Sequence, residues 1–362
     1  MGDTMRFRIL LLIILLTLPA HLAAQSPPRD DGDVRALLLA LDRQERYLDN
    51  LKQSSLRLGQ RRVSKEHALA TVRELRKLVL TKHGRPDFGA ELARRFEIIT
   101  VADNALFTAY HSPFLPVSAT RSATYHVPIL GRPKDLVAKG GKVYRRVNGK
   151  LVAPPTRAQI MDGAYDASRL AVAWTRNSVQ LYYTQIQGSA IAVFPDGRRQ
   201  TLLYAGNNGH GYVSVEKDII EDVPTALRPG GYLGLRRYIR EHPAVAQKHF
   251  RRNPRYIFFR LSDQPPMGMA RLPLTPKRSI ATDKRYYAAG LMALIAFPES
   301  HHRADGTLEK RAVQYIVADV DTGAAIKGPA RVDVYFGEGS IEELFASGLK
   351  DKGTLSYLLL RR

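Results

Sequence analysis

Apolar residues recur at helical spacing over the first part of the chain. Across residues 33–51 they fall three or four positions apart with charges between them, which predicts an amphipathic helix. A second helix is predicted over residues 64–80, with Ser64 as its N-cap. A third, short helix is expected after Pro86 and up to Phe96. These three helices are predicted to be packing elements.

The pattern changes after Glu97, where short runs rich in Ile, Val, Tyr, Phe and Thr alternate with turn residues. Such runs are typical of strands joined by turns. The segment LYYTQIQGSAIAVFPDG, residues 181–197, is assigned to this strand-and-turn part, with a hairpin turn at Pro-Asp-Gly 195–197. Helical character returns over residues 235–251, on both sides of Pro243. The predicted fold class is α+β, mainly β with N-terminal helices.

The first 24 residues have the order of a secretory signal peptide. Arg6 and Arg8 precede an apolar run over residues 9–16, and Pro19 and small residues follow. The run is shorter than the roughly 18 residues that indicate a spanning helix. Cleavage is expected after Ala24, and an uncleaved membrane anchor is the alternative. The mature protein is therefore expected in the periplasm.

Residues 25–32 are polar with two prolines, and we expect them to form a mobile linker. The sequence contains no cysteine, which excludes disulfides, thiolate metal sites and cysteine nucleophiles. It also lacks the cysteine that a bacterial lipoprotein carries directly after its signal. We therefore expect no stable membrane anchor, although association with the outer membrane is compatible with the sequence.

The net charge is +21, and removal of residues 1–24, which hold two Arg and one Asp, leaves +20. This charge favours anionic partners such as nucleic acid, acidic lipid or an anionic polymer. For an exported protein, the expected partner is peptidoglycan, which carries carboxylates, and no nucleic acid. A basic proteome would give the same charge, so charge supports this interpretation without deciding it.

Four polar, glycine-containing clusters stand out at residues 107–113, 184–190, 204–212 and 320–337. Amide and hydroxyl side chains can bond the hydroxyl and N-acetyl groups of sugars, and aromatic faces can pack on pyranose rings. Each cluster alone could be a turn, but four together indicate a polar groove. The candidate substrate-binding residues are Thr108, Tyr110, Gln187, Ser189, Asn208, His210 and Tyr212.

Other common site motifs are missing from the sequence. There is no P-loop and no GxGxxG after a strand, and His301-His302 has no third metal ligand at a recognised spacing. The Gly-His-Gly at 209–211 lacks the serine elbow that would accompany a catalytic histidine. We expect no metal and no organic cofactor.

Three aspartates in the last eighty positions are the candidate catalytic residues. Asp283 lies in SIATDKRYY, Asp321 in ADVDTGAAIKG, and Asp333 in RVDVYFG. Each also has a structural interpretation from the residues alone. Asp321 can bond turn amides, Asp283 can pair with the basic residues that follow it, and Asp333 can lie on the outward face of a strand.

The order Asp, Asp-x-Gly-x-Ala-Ile-Lys-Gly, Asp-hydrophobic-Tyr resembles the three-aspartate (3D) domain of bacterial cell-wall enzymes. With FTAYHSP, QGS, YAGNNGHGY and NPRYIFF upstream, the chain resembles the membrane-bound lytic murein transglycosylase A (MltA) family over roughly residues 100–340. The resemblance implies a double-psi β-barrel domain from residues 33–113 and 258–362. It also implies a smaller β domain inserted at 114–257, with the substrate groove between the two.

The resemblance further implies that Asp333 is the acid/base of a peptidoglycan lytic transglycosylase. To be protonated at neutral pH, Asp333 needs a pKa raised by burial or by a neighbouring carboxylate, for which Asp321 and Asp283 are the candidates. Such an enzyme cleaves the MurNAc–GlcNAc β-1,4 bond and leaves 1,6-anhydro-MurNAc ends. Because the muramyl C6 hydroxyl attacks within its own sugar, one carboxyl group is sufficient. The implied partners are peptidoglycan glycan strands and, in addition, cell-wall synthesis complexes.

The chain departs from the family pattern at Gln185, where members usually have Asp, and at Ala190 and Ala324, where they usually have Gly. These departures concern the subsites and leave the three aspartates unchanged.

Two other classes of function stay open. Asp321-Thr322-Gly323 also matches the signature of aspartic proteases, which need two such aspartates and hence a symmetric dimer of this chain. A non-catalytic peptidoglycan-binding or scaffolding protein would keep the groove without depending on Asp333.

Overall fold

The computed structural model describes residues 27–223, 238–239, 241–302, 308–340 and 348–362. The predicted signal peptide and half of the residues of the helix predicted before Pro243 lie outside these ranges. None of the helices in the described ranges has both the length and the apolar character needed to cross a membrane.

The helices and the strands of the described ranges are numbered separately in chain order. The helices are α1 (Val34–Asn50), α2 (Lys65–Lys82), α3 (Phe88–Arg95), α4 (Arg157–Met161), α5 (Ala167–Leu170), α6 (Ser178–Gln187), α7 (Glu216–Asp222) and α8 (Pro243–Phe250). The strands are β1 (Ser55–Leu58), β2 (Arg61–Ser64), β3 (Phe96–Ser112), β4 (Phe114–Ser118), β5 (Val127–Leu130), β6 (Leu136–Lys139), β7 (Lys142–Val147), β8 (Lys150–Val152), β9 (Ala171–Thr175), β10 (Ala190–Val193), β11 (Arg199–Asn207), β12 (Ile257–Ser262), β13 (Ser279–Ala281), β14 (Leu291–His302), β15 (Leu308–Asp321), β16 (Arg331–Glu338) and β17 (Lys350–Leu360).

The three predicted N-terminal helices are confirmed. The side chain of Asp33 accepts a hydrogen bond from the amide of Ala36 and caps α1. Ser64 caps α2 in the same way, as predicted, by accepting from the amide of His67. The apolar stripes of α1 and α2 pack into the same core as the barrel strands, so the helices cover the barrel.

Six strands form a closed barrel in the order β13-β15-β14-β17-β3-β16. β3 pairs parallel with β16 and antiparallel with β17. The short strand β13 closes the ring through an antiparallel pair with β16. The barrel is therefore assembled from an early strand and the C-terminal strands, as the resemblance implied, and the predicted fold class is confirmed.

A separate six-stranded sheet, in the order β12-β11-β10-β4-β9-β5, has its own core and lies between β3 and β13 in the sequence. A three-stranded sheet, β6-β7-β8, accompanies it. The hairpin predicted at residues 195–197 joins β10 to β11 and is confirmed, with Gly197 at a φ of 83°. The expected return to the barrel at residue 258 falls inside β12, which pairs with β11 along its length.

The strand predicted from Leu181 is wrong, because this segment forms most of α6. The side chain of Asn177 caps the helix start, and Gly188, in the left-handed conformation, follows its last residue. Tyr182 and Tyr183 are buried in the helical packing of the insert. The tyrosines and threonine that favour strands are outweighed by these two caps and by burial. A strand begins only at Ala190.

The mobile linker predicted at residues 25–32 is also wrong for its described part. Asp30 is fully buried and forms an ion pair with the buried guanidinium of Arg278 at 2.5 Å. Asp30 also accepts a 2.8 Å hydrogen bond from the amide of Ile316 and contacts the ring of His83. The polar composition of residues 25–32 suggested a linker, but the carboxylate of Asp30 has a buried counter-ion, Arg278, in the barrel.

We predict that Asp30→Ala lowers the free energy of unfolding by about 3–5 kcal/mol, because it leaves the Arg278 charge buried and uncompensated. Chemical denaturation measures this loss. The control is Arg46→Ala, which removes an ion pair with Asp42 whose arginine side chain is 74% exposed and which should leave stability near wild type. Equal stability of the two variants would contradict the anchoring role of Asp30.

Candidate active site

Asp333 is the third residue of β16, and two neighbouring strands fix its position. It pairs in parallel register with Thr108 of β3, whose hydroxyl donates a 2.6 Å hydrogen bond to Asp333 Oδ1. Ala281 of β13 is its antiparallel partner on the other side. Val332 and Val334 are buried in the barrel core, so the Asp333 side chain points to the opposite face.

That face borders a cavity of about 490 Å³ between the barrel and the inserted domain, which we call the groove. From the barrel and its loops, the groove is lined by Thr108, Tyr110, Gly323, Ile326, Arg331, Asp333 and Lys350. From the inserted domain, it is lined by Arg157, Gln185, Gln187, Tyr212, Asn253 and Arg255. Asp333 is the sole carboxylic acid among the described lining residues.

The surroundings of Asp333 favour its protonated form. Desolvation by the groove walls raises its pKa to about 6, and the negative charge of Asp321 acts in the same direction. The hydrogen bond from Thr108 and the positive charge of Arg331 oppose this rise. Desolvation is the larger effect, so the carboxyl group can hold or release a proton close to neutral pH.

Asp321 ends β15 next to the groove, but hydrogen bonds occupy both of its oxygens. Oδ1 accepts from the amides of Met269, at 2.9 Å, and Thr322, at 2.8 Å. Oδ2 accepts a 2.8 Å hydrogen bond from the Tyr110 hydroxyl, and burial raises the pKa of Asp321 despite these bonds. The carboxylate therefore holds Tyr110 in the groove wall and is not itself among the described residues that line the groove.

Asp283 is not among the described residues that line the groove. Its buried carboxylate pairs with Arg285 at 2.5 Å and accepts a 2.8 Å hydrogen bond from the amide of Gly328. The hydrogen bond from Arg285 holds its pKa well below the usual range. The structural interpretation made from the sequence, an ion pair with a following basic residue, agrees with this geometry.

Four of the seven candidate substrate-binding residues line the groove, namely Thr108, Tyr110, Gln187 and Tyr212. Gln187 also joins the two walls, because its Oε1 accepts a 3.0 Å hydrogen bond from the amide of His111. This bond uses the Oε1 atom and not the amide nitrogen of Gln187. The structure thus brings these residues and Asp333 together.

The other three candidates lie in the frame behind the groove wall. Ser189 is buried, with its hydroxyl 2.7 Å from that of Ser112. Asn208 is fully buried and donates to the carbonyl oxygens of Pro155 and Pro254. His210 contacts the carbonyl oxygen of Pro154 at 2.9 Å. The amide and imidazole groups that suit sugars here bond backbone carbonyl oxygens in the segments before α4 and β12.

Four basic residues of the groove were not predicted from the sequence, namely Arg157, Arg255, Arg331 and Lys350. Arg157 is only 4% exposed. With 55 Lys and Arg in the chain, a single arginine carries no signal by itself. No group of three His, Asp or Glu residues in the described ranges could hold a metal ion.

Two family models match the chain. The MltA specific insert domain matches residues 106–260, and the 3D domain matches residues 278–359. The membrane-bound lytic murein transglycosylase A of Vibrio cholerae is 28% identical over 253 residues, which are 69% of this chain and 64% of that protein. The Escherichia coli K12 protein of the same name is 27% identical over 65% of this chain and 60% of its own length. The matches thus span less than two thirds of these relatives.

Solved structures share the fold. A membrane-bound lytic murein transglycosylase from Agrobacterium tumefaciens superposes with a TM-score of 0.75 at 26% identity, covering 91% of this chain and 94% of its own. Escherichia coli MltA with bound chitohexaose gives a TM-score of 0.71 at 20% identity, covering 93% and 92% of the two chains. With its insert domain, its 3D domain and this shared fold, the chain belongs to the membrane-bound lytic murein transglycosylase A family.

Proposed function

We propose that this protein is a peptidoglycan lytic transglycosylase that cleaves the MurNAc–GlcNAc β-1,4 bond and leaves 1,6-anhydro-MurNAc ends. The observation that carries the proposal is the single carboxyl group of Asp333, which faces the groove with a pKa raised to about 6. The family membership supports the substrate class, since the named relatives are lytic murein transglycosylases.

The number of carboxyl groups favours a transglycosylase over a hydrolase. A hydrolytic glycosidase uses two carboxyl groups on either side of the scissile bond. Among the described lining residues of the groove only Asp333 is acidic, and both oxygens of Asp321 are engaged. A nucleophile tethered to the sugar needs no second carboxylate, because its effective concentration replaces a positioned water.

In the proposed reaction, protonated Asp333 gives its proton to the glycosidic oxygen as the bond to muramyl C1 breaks. The resulting carboxylate then takes the proton of the C6 hydroxyl as O6 bonds to C1, which restores protonated Asp333. Thr108 donates to Oδ1 and leaves Oδ2 to carry the proton. Asp321 acts indirectly, since its charge raises the pKa of Asp333.

We also propose that the protein acts in the periplasm on peptidoglycan. The sequence order of residues 1–24 and the carboxylates of peptidoglycan, which suit the basic chain, support this location. Participation in cell-wall synthesis complexes stays a prediction.

Product analysis on purified murein tests the reaction. We expect muropeptides that end in 1,6-anhydro-MurNAc, because the C6 hydroxyl is the nucleophile. Reducing ends, measured by chromatography and mass spectrometry after borohydride treatment, would instead show a hydrolase. A binding protein or a protease would release neither glycan product.

We predict that Asp333→Asn lowers turnover by at least the ~10²–10⁴-fold typical of a lost general acid/base, while binding to murein sacculi and thermal stability stay near wild type. The matched variant is Asp283→Asn, which removes the ion pair between a buried carboxylate that does not line the groove and the exposed Arg285, and which should act through stability. Retention of more than about a tenth of wild-type turnover in Asp333→Asn would remove this residue from the role.

We predict that kcat/KM falls as the pH rises through about 6, because the first step needs protonated Asp333. Thr108→Val removes a hydrogen bond that stabilises the carboxylate, so the pKa of Asp333 should rise and the decline should move to higher pH. Thr108→Ser keeps the hydroxyl and serves as the control. A decline that moves to lower pH in Thr108→Val would contradict this assignment.

A further inference from the structure

The inserted wall of the groove contains a buried arginine whose partners are all neutral. Arg157 is 4% exposed, and its guanidinium lies over the rings of Tyr182 and Tyr256, 4.8 and 5.2 Å from their centroids. Nη1 donates to Gln185 Oε1 at 2.5 Å and Nη2 to the Arg255 carbonyl oxygen at 2.6 Å. Its Nε is buried and has no hydrogen-bond partner among the described residues.

Arg255 lies beside Arg157 on the same wall and has a similar environment. Its guanidinium donates to the carbonyl oxygen of His210 at 3.0 Å and contacts Asn207 Oδ1 at 3.4 Å. Desolvation lowers the pKa of both arginines. Within the described ranges, the hydrogen-bond acceptors of both guanidinium groups are neutral amide and carbonyl oxygens.

These contacts satisfy donors without neutralising charge. A desolvated cation without a counter-ion is unfavourable, and an anion supplied by a ligand would relieve that cost. The guanidinium group matches a carboxylate in particular, since its parallel N–H groups can bond both oxygens. The groove thus offers a built position for an anionic group.

The charge of the whole groove agrees with this requirement. On the barrel side, Arg331 and Lys350 line it together with Asp333, which is the sole acid among the described lining residues and has a raised pKa. A second cavity of about 240 Å³ is also bordered by Arg157 and Gln185. A group attached to a glycan in the groove could therefore extend along this wall.

We propose that Arg157 and Arg255 form a carboxylate subsite that recognises the acidic substituent of a muramyl glycan. This inference rests on the proposed function and deepens it, because it names the chemical group that distinguishes the substrate from a neutral chitin-like chain. The carboxylate is either the lactyl group itself or part of a peptide attached to it. Peptide-free and peptide-bearing glycans distinguish these two sources.

Equilibrium binding in the Asp333→Asn background tests the subsite without turnover. The probes are a peptide-free GlcNAc–MurNAc tetrasaccharide, the same compound with its lactyl groups converted to amides, and peptide-bearing tetrasaccharides with free or amidated peptide carboxylates. We expect a free carboxylate to bind about tenfold tighter than its amide, a difference of about 1.4 kcal/mol. A preference within the first pair assigns the lactyl group, and one confined to the second assigns the peptide. Equal affinity within both pairs overturns the proposal.

Two variants of one residue then locate the effect. Gln185→Glu places a carboxylate beside Arg157. Gln185→Met is the matched control, because both variants lose the 3.1 Å hydrogen bond that the Gln185 amide donates to the Ile257 carbonyl oxygen. Gln185→Glu should abolish the roughly tenfold preference for the free carboxylate, whereas Gln185→Met should retain it. Arg255→Gln should weaken it as well.

If Arg157 serves only packing, both variants at position 185 change the melting temperature and leave the preference unchanged, which overturns the subsite. The outcome is separable from the proposed reaction. Anhydro products without a charge preference would contradict this subsite alone, and a charge preference without anhydro products would contradict the reaction alone.

Discussion

The parallel pairing of β3 with β16 is the constraint on which the groove depends. It joins Thr108 to Asp333 across 225 positions of sequence and completes the barrel. β3 then runs on to β4, the first strand of the inserted sheet, so the same pairing sets one wall of the groove against the other. On the other side of β3, its neighbour β17 packs closely against β14, because a Cβ on Gly353 of β17 would lie 2.1 Å from the carbonyl oxygen of Ala296 in β14.

The groove has two electrostatic regions. On the barrel side, desolvation and the charge of Asp321 raise the pKa of Asp333 more than the Thr108 hydrogen bond and the Arg331 charge lower it. The resulting pKa is close to the pH at which one group can act both as an acid and as a base. On the inserted side, Arg157 stays charged and buried among neutral partners. One region thus suits proton transfer, and the other suits an anion that does not react.

The sequence predicted the elements whose signals are local. α1 and α2 have apolar stripes and side-chain caps, and the Pro-Asp-Gly hairpin has its own turn residues. It failed where tertiary contacts outweigh composition. The tyrosines of α6 favour strands but are buried in a capped helix, and Asp30 lies in a polar segment but meets Arg278 inside the barrel.

The site shows the same division. Asp333 was identified through its motif, and its place in the groove follows from strand alternation and pairing. The residues Asn208 and His210 have the composition of a sugar site, yet they bond prolyl carbonyl oxygens in the segment that precedes α4. Nothing local distinguishes these two uses of a polar side chain. Arg157 could not be selected from the sequence, because it is distinguished by its burial and by the neutral acceptors around its guanidinium. Both are properties of the folded chain.

Several polar residues near the groove act between its walls, and this explains their clustering. The Ser112 hydroxyl contacts the hydroxyls of Ser189, at 2.7 Å, and Tyr335, at 3.1 Å, so one buried group joins β3 to the insert and to β16. Gln187 adds a bond from α6 to the β3 backbone. Because a shift of about 1 Å in a positioned group can cost a large part of catalysis, walls joined by buried hydrogen bonds preserve the spacing between Asp333 and the arginines. The polar clusters therefore have two roles: some members join the walls of the groove, and the members that line it, namely Thr108, Tyr110, Gln187 and Tyr212, are placed to contact a ligand.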